Sequence, residues 1–166
     1  PGTTYCLLQG RRSRIRSRPR QQDPAFPCYD GNGMFYSMGN LLGNPQVGML
    51  FVNFEKPHRL RVQGTASVDD NDPLLREYAE AQLVVRVAVS EIFRNCPRYV
   101  HRYEKVQTSA FVPRSTSETP LAPWKRVDDV QTFLSAKDRA RVEREGGLIS
   151  RDEYEKYMTD VGGRES

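Results

Sequence analysis

Long apolar runs are missing from this sequence. The longest spans a few residues, so no segment is expected to cross a membrane as a helix. No positively charged start leads into an apolar stretch, so no secretory leader is expected. The chain begins at Pro1 rather than Met, as expected of a sequence lacking an upstream piece. Cysteine is scarce. Cys6, Cys28 and Cys96 lie far apart, are odd in number and form no Cys-x-x-Cys. That usage suits a reducing cytosol better than an exported disulfide scaffold, so a cytoplasmic location is expected. Histidine is scarcer still. His58 and His101 stand in no ligand spacing, so no metal site is expected. At 166 residues the chain is long enough to bury a core without disulfides or metal.

The net charge of +4 is unevenly placed. Residues 1–22 carry Arg11, Arg12, Arg14, Arg16, Arg18 and Arg20 and no acid. Without these six, 19 bases face 21 acids, and the body is mildly acidic. A nucleic-acid interface spread over the whole domain is therefore not expected. The arginine run alone could attract nucleic acid or anionic lipid, but it has no interleaved aromatics for base stacking. By composition it reads as a disordered basic arm.

From Cys28 the chain reads as folded. Asp30-Gly31-Asn32-Gly33 is a turn, because Gly and Asn tolerate positive φ. Met34 to Leu42 has helical character, with Met34, Met38, Leu41 and Leu42 near one face, and Asn44-Pro45 stops it. Val47 to Phe54 is an apolar strand. Next comes a clear alternation. His58, Leu60, Val62, Gly64, Ala66 and Val68 point to one side, and Arg59, Arg61, Gln63, Thr65 and Ser67 to the other. The first side is core. The second presents two arginines and a glutamine to water or to a ligand. Asp72 caps a short helix that opens on Pro73 and runs to about Ala81. Gln82 to Phe93 is another strand, with Leu83, Val85, Val87 and Val89 on one face. The remainder is helical. Val127, Val130, Phe133 and Leu134 form an apolar stripe. Ser135-x-x-Asp138 and Ser150-x-x-Glu153 resemble helix starts, and Gly146-Gly147 and Gly162-Gly163 resemble helix ends. Trp124 sits in a Pro-rich connector, where packing is its expected role. The pattern alone supports an antiparallel barrel with helical decoration.

Three ordered motifs sharpen this. They are Asp30-Gly31-Asn32-Gly33-Met34-Phe35 through Ser37-x-Gly39-Asn40-Leu41-x-x-Asn44-Pro45, then Arg59-Leu60-Arg61-Val62-x-Gly64-x-Ala66, then Asn95-Cys96-Pro97-Arg98-Tyr99. Together they resemble the pyridoxamine 5'-phosphate oxidase-like, FMN-binding split-barrel family, in particular an oxidase-related bacterial branch. The resemblance runs from about Phe26 to Tyr103 and more weakly beyond. It implies a mainly β (α+β) fold: a six-stranded antiparallel split β-barrel with short flanking helices and a helical C-terminal tail. The expected division is an anomalous segment 1–25, a barrel domain 26–115 and a helical extension 116–166. The resemblance also implies a homodimer with FMN in clefts at the subunit interface. Ser37, Gly39 and Asn40 match the family's phosphate-side segment, where better-known oxidases carry Ser-Arg-Lys. Arg59 matches the Gln of an Arg-Gln-Val-Arg pattern beside the flavin ring, Arg61 matches its second arginine, and Gln63 follows on the same face. These residue types suit the task, since guanidinium forks bind phosphate or a carbonyl edge bidentately. A glycine lets backbone N–H groups approach a phosphate closely.

The implied function is a flavin-dependent oxidoreductase acting on a small-molecule substrate, with catalytic residues unassigned. The alternative is a non-catalytic flavin carrier, or a relative that binds deazaflavin or haem. Asn95-Cys96-Pro97-Arg98-Tyr99 is expected near the cleft. Cys96 reads as a buried inert thiol. His58 and His101 read as structural groups, with His58 pointing away from Arg59. One segment departs from the family. In this branch the residues before the Asp-Gly-Asn-Gly turn resemble Tyr-Lys-Gly-Gly-x-Pro-Gly-Phe-Val-Arg-Val-Leu-Asp. Permitted codons for Cys6 onward, read one nucleotide later, give that kind of segment, with frame restored near Pro24-Ala25. Residues from about Cys6 to Pro24 thus read as a frameshift product, at the expense of one barrel strand and a Gly-rich loop.

Overall fold

The valine-rich and alternating segments pair into one sheet. The structure is a computed structural model that describes residues 4–9 and 161–162 (by their backbone), 24–31 and 33–160. The chain divides into two compact units, Pro1–Thr108 and Ser109–Ser166. The sequence had suggested a boundary at 115/116. Most of the arginine-rich segment, residues 10–23, lies outside the described residues, as do Asn32 of the expected turn and Gly163 of the expected helix end.

The first unit is α+β. Strands β1 (Thr4–Gln9), β2 (Ala25–Tyr29), β3 (Gln46–Asn53), β4 (His58–Asp69) and β5 (Ala81–Asn95) accompany one helix, α1 (Tyr36–Gly43). The sheet order is β1-β3-β4-β5-β2. The last four strands form a curled antiparallel sheet, and β1 runs parallel along the outer edge of β3. Five strands are formed among the described residues. β1 and β2 carry too few alternating residues to be read as strands from sequence, and Pro27 obscures β2. Pro27 sits on the strand at the sheet's edge, where a missing N–H is tolerated.

The core lies on one face. Val47 and Met49 of β3, Val62 and Ala66 of β4, Val85 and Val87 of β5 and Phe26 of β2 pack with Met38 and Leu41 of α1. Full burial of each such side chain is worth about 1.5–3 kcal/mol. Of the four residues expected on the inner face of α1, only Met38 and Leu41 are buried; Met34 and Leu42 are exposed. The helix starts two residues later than expected because Phe35 adopts left-handed backbone, φ 49°. The helix expected after Asp72 shrinks to a 3-10 turn, Pro73–Glu77. Tyr78 N–H closes back on the Leu75 carbonyl and Glu80 turns left-handed at φ 62°, so the chain enters β5 at once. Asp72 caps this turn as expected, accepting from Leu74 N–H at 2.9 Å. Its carboxylate also takes Nε and Nη2 of Arg86 on β5. That pairing holds the Asp72 carboxyl below its usual range, and burial only partly opposes it.

Two register shifts interrupt the sheet. Gln63 faces Glu91 while Gly64 faces Val89, so Ser90 is an extra residue in β5. The second shift leaves Gln82 extra, opposite Cys28 and Tyr29 of β2. The Ser90 bulge reverses side-chain parity. Before it, Val85, Val87 and Val89 share the core face. Beyond it, Ile92 takes that face opposite Val62, and Glu91, Phe93 and Asn95 join the arginine face.

In the second unit, 3-10 turns Pro123–Arg126 and Asp128–Phe133 lead into α2 (Ala136–Arg144) and α3 (Arg151–Gly162). Leu121, Leu134 and Val142 form its core, with Trp124 and Val130 packed against them. Phe133, expected in the stripe, is exposed, because the 3-10 turn rotates it off the helical face. Both expected helix starts are capped. Ser135 Oγ accepts from Asp138 N–H at 3.1 Å. Ser150 and Glu153 bond reciprocally: Glu153 Oε2 accepts from Ser150 N–H at 2.7 Å, and Ser150 Oγ accepts from Glu153 N–H at 3.2 Å. Gly146 and Gly147, at φ 109° and 73°, end α2 as the sequence suggested. Lys125 is buried and pairs with Asp138 at 3.0 Å. Burial pushes the Asp138 carboxyl up, but hydrogen bonds from Lys125 and Ser135 outweigh it and hold the group low. Among the described residues no helix is long and apolar enough to cross a membrane.

Candidate functional site

Strand β4 lies between β3 and β5, so each of its residues has a neighbour on both sides. Val62 points into the core, hence Arg59, Arg61 and Gln63 point to the opposite face. Val52 and Asn95 flank Arg59. Leu50 and Phe93 flank Arg61. Gly48 and Glu91 flank Gln63. All three predicted residues are half-buried, whereas Thr65 and Ser67 further along the same face are exposed. Arg61 is therefore bedded between an aliphatic and an aromatic neighbour, whereas Gln63 lies beside an acid.

Arg59 is fixed at the end of the strand. Its Nη2 donates to the Cys96 carbonyl, while its Nε is buried without a hydrogen-bond partner among the described residues. A buried donor left unmatched costs about 1–3 kcal/mol. Here the end of the sheet opens into a groove of about 620 Å³. Its wall combines Phe51 and Leu60 with Arg59, Arg94, His58 and Cys96. Among the described residues no carboxylate lines it. His58, expected to point away from Arg59, pairs with Asn53 and so falls on the face opposite Arg59. Its Nδ1 lies 2.7 Å from the Lys56 carbonyl. Cys96, expected to be buried, is exposed, because the Asn95-Cys96-Pro97 turn leaves the sheet.

Ser37, Gly39 and Asn40 are exposed on α1. That helix packs Met38 and Leu41 against the core face, where Val62 and Ala66 point. Within one chain the helix and the arginine row therefore occupy opposite faces of the sheet. The structure brings Arg59, Arg61 and Gln63 together and keeps Ser37, Gly39 and Asn40 apart from them. Backbone N–H groups around Gly39 were expected to approach a phosphate, and the Gly39 N–H is one of them. It is used inside the helix, donating to the Phe35 carbonyl at 2.8 Å.

Sequence reasoning overlooked Phe93. A signal for it was present: the apolar residues of β5 jump from Val89 to Ile92 across adjacent polar Ser90 and Glu91, which marks a lost beat in the alternation. Comparison with protein-family models, curated proteins and solved structures finds no match to this chain.

Proposed function

We propose that this chain is an FMN-binding protein of the split-barrel type, a flavin-dependent oxidoreductase acting in the cytoplasm on a small-molecule substrate. In this reading it works as a homodimer with flavin at the subunit interface, and a sixth strand closes each barrel. The observation that carries the reading is the half-buried row Arg59, Arg61 and Gln63 on the coreless face of an antiparallel sheet. The row fits the flavin's electron-rich edge. FMN supplies a ring that accepts a hydride or electrons and gains negative charge near N1. Arg61 and Arg59 place fixed positive charge and N–H donors where that charge develops. Gln63 adds a neutral donor. Leu50, Val52 and Phe93 give the ring apolar surface and keep water from it. The phosphate side, Ser37 and Asn40, then comes from the partner protomer, because α1 of the same chain lies across the sheet.

Purified protein mixed with FMN is expected to keep a two-banded yellow spectrum through gel filtration at dimer size. Arg61→Met is expected to weaken FMN retention roughly tenfold or more, since a hydrogen bond to a charged group is worth about 1.5–3 kcal/mol. A well-folded protein that passes the column colourless and monomeric overturns the reading. Turnover of the bound flavin with a nicotinamide donor separates an enzyme from a carrier.

A further inference from the structure

We propose that Arg59 is a positioning residue that pins a strap, residues 96–103, across the strand ends beside the arginine row. Through the strap it sets how open the proposed flavin site is at that end. The pin stands on the contacts of the first unit alone. Its effect on a bound flavin rests on the flavin reading above.

The strap begins where β5 ends. Asn95 is the last residue of that strand and pairs with Arg59. The chain then turns at Cys96-Pro97, and Val100 N–H closes on the Pro97 carbonyl at 2.9 Å. The other end of the strap lies against Phe54, which directly follows β3. Tyr103 N–H donates to the Phe54 carbonyl at 3.0 Å, and the two rings meet edge to face with centroids 5.6 Å apart. Since β4 lies between β3 and β5, the strap runs past the end of β4. None of its side chains is buried. A segment with so little burial opens locally unless its ends are held.

Arg59 holds the first end. Its Nη2 donates to the Cys96 carbonyl, and its Nε is closed off without a partner among the described residues. These N–H groups are committed to the protein and not to a ligand. The carbonyl is neutral, so the bond leaves the arginine's charge uncancelled beside Arg61. Arg86, Arg141 and Arg151 hold carboxylates instead. Cys96 and Pro97 of the strap line the groove together with Val52 and Arg59. Val52 and Arg59 belong to the arginine face as well. A looser strap therefore opens the end of the row to water.

The test uses the full chain, first without flavin. Hydrogen exchange read by mass spectrometry compares a peptide over residues 97–106 with one over residues 83–89 of β5. Arg59→Met is expected to speed exchange in the strap peptide about three- to tenfold, the effect of one lost hydrogen bond, and to leave the β5 peptide unchanged. Arg59→Lys can still donate to the carbonyl and is expected to recover part of the protection. Tyr103→Ala removes the ring contact at the other anchor and is expected to speed the same peptide. FMN is then added to the parent and to Tyr103→Ala, which keeps the charges of the row. Acrylamide, a neutral quencher, reads the exposure of the bound flavin. Tyr103→Ala is expected to retain FMN and to raise the quenching constant about twofold or more, as the strap spends more time open. Strap exchange that Arg59→Met leaves unchanged overturns the proposal. So does a bound flavin equally quenched in the parent and in a Tyr103→Ala variant whose strap exchanges faster, since the strap then lies away from the site. Faster strap exchange in Arg59→Met of a protein that never retains FMN sinks the flavin reading and leaves the pin in place.

Discussion

At the scale of single residues, charge is placed with two distinct purposes. Arg86, Arg141 and Arg151 hold carboxylates and tie separate segments together. Among the described residues, Arg59 leaves a buried donor unmatched beside a groove that no acid lines. The Asp72–Arg86 pair is the clearest structural case. Asp72 is buried, caps the 3-10 turn and takes two N–H groups from Arg86. Asp72→Asn keeps a capping oxygen but removes the charge, and is expected to cost about 1–3 kcal/mol. The pH dependence follows from the carboxyl being held below the ordinary 3.8 by Arg86. A carboxyl with a depressed folded-state value stabilises the fold fully above its unfolded value and loses that contribution as pH falls through the folded one. The gap in stability between the parent and Asp72→Asn should thus be constant from about pH 5 to 7 and close below about pH 4. Urea unfolding at a series of pH values measures it. A gap that widens in acid would show that Asp72 is not the anionic partner of Arg86.

At the scale of elements, the bulge between β4 and β5 does the most to shape the site. Gly64 sits beside it, and a Cβ there would strike the Ala88 carbonyl oxygen and the Val87 side chain. Backbone cannot yield as a flexible side chain does. Gly64→Ala is therefore expected to destabilise the first unit by about 1–3 kcal/mol or more, read as a drop in melting temperature. An unchanged melting temperature would mean that the strands are spaced more loosely than described. The same bulge marks the limit of what the sequence disclosed. The alternation of β4 was legible because one face is apolar over Val62, Gly64, Ala66 and Val68, and it placed Arg59, Arg61 and Gln63 together correctly. The three longest strands, the Asp72 cap and both helix starts of the second unit were legible for similar local reasons. The place of Phe93 beside Arg61 was overlooked, since an inserted residue reverses every later side chain. The groove was invisible for another reason. It forms where the ends of three strands meet, and no single segment encodes that meeting.

At the scale of the whole molecule, the placement of the two predicted residue sets decides how a flavin site could be assembled. Ser37 and Asn40 ride on α1 over the core face, and Arg59 and Arg61 project from the other. A sheet one residue thick separates them, so one protomer cannot offer both sets to one small ligand. Two protomers can, if each lends α1 to the arginine row of the other. This makes a prediction that single variants cannot. Let one chain carry Arg59→Ala and Arg61→Ala, and another Ser37→Ala and Asn40→Ala. Each alone should fail to retain FMN. In a mixed dimer one site collects both defects and the other collects neither, so co-expressed, doubly tagged dimers should recover flavin at one of their two sites. If both sets served the same site within one chain, every site of the mixed dimer would be defective and the purified dimers would stay colourless. Absorbance of the doubly purified dimer therefore distinguishes a shared interface site from a site within one protomer.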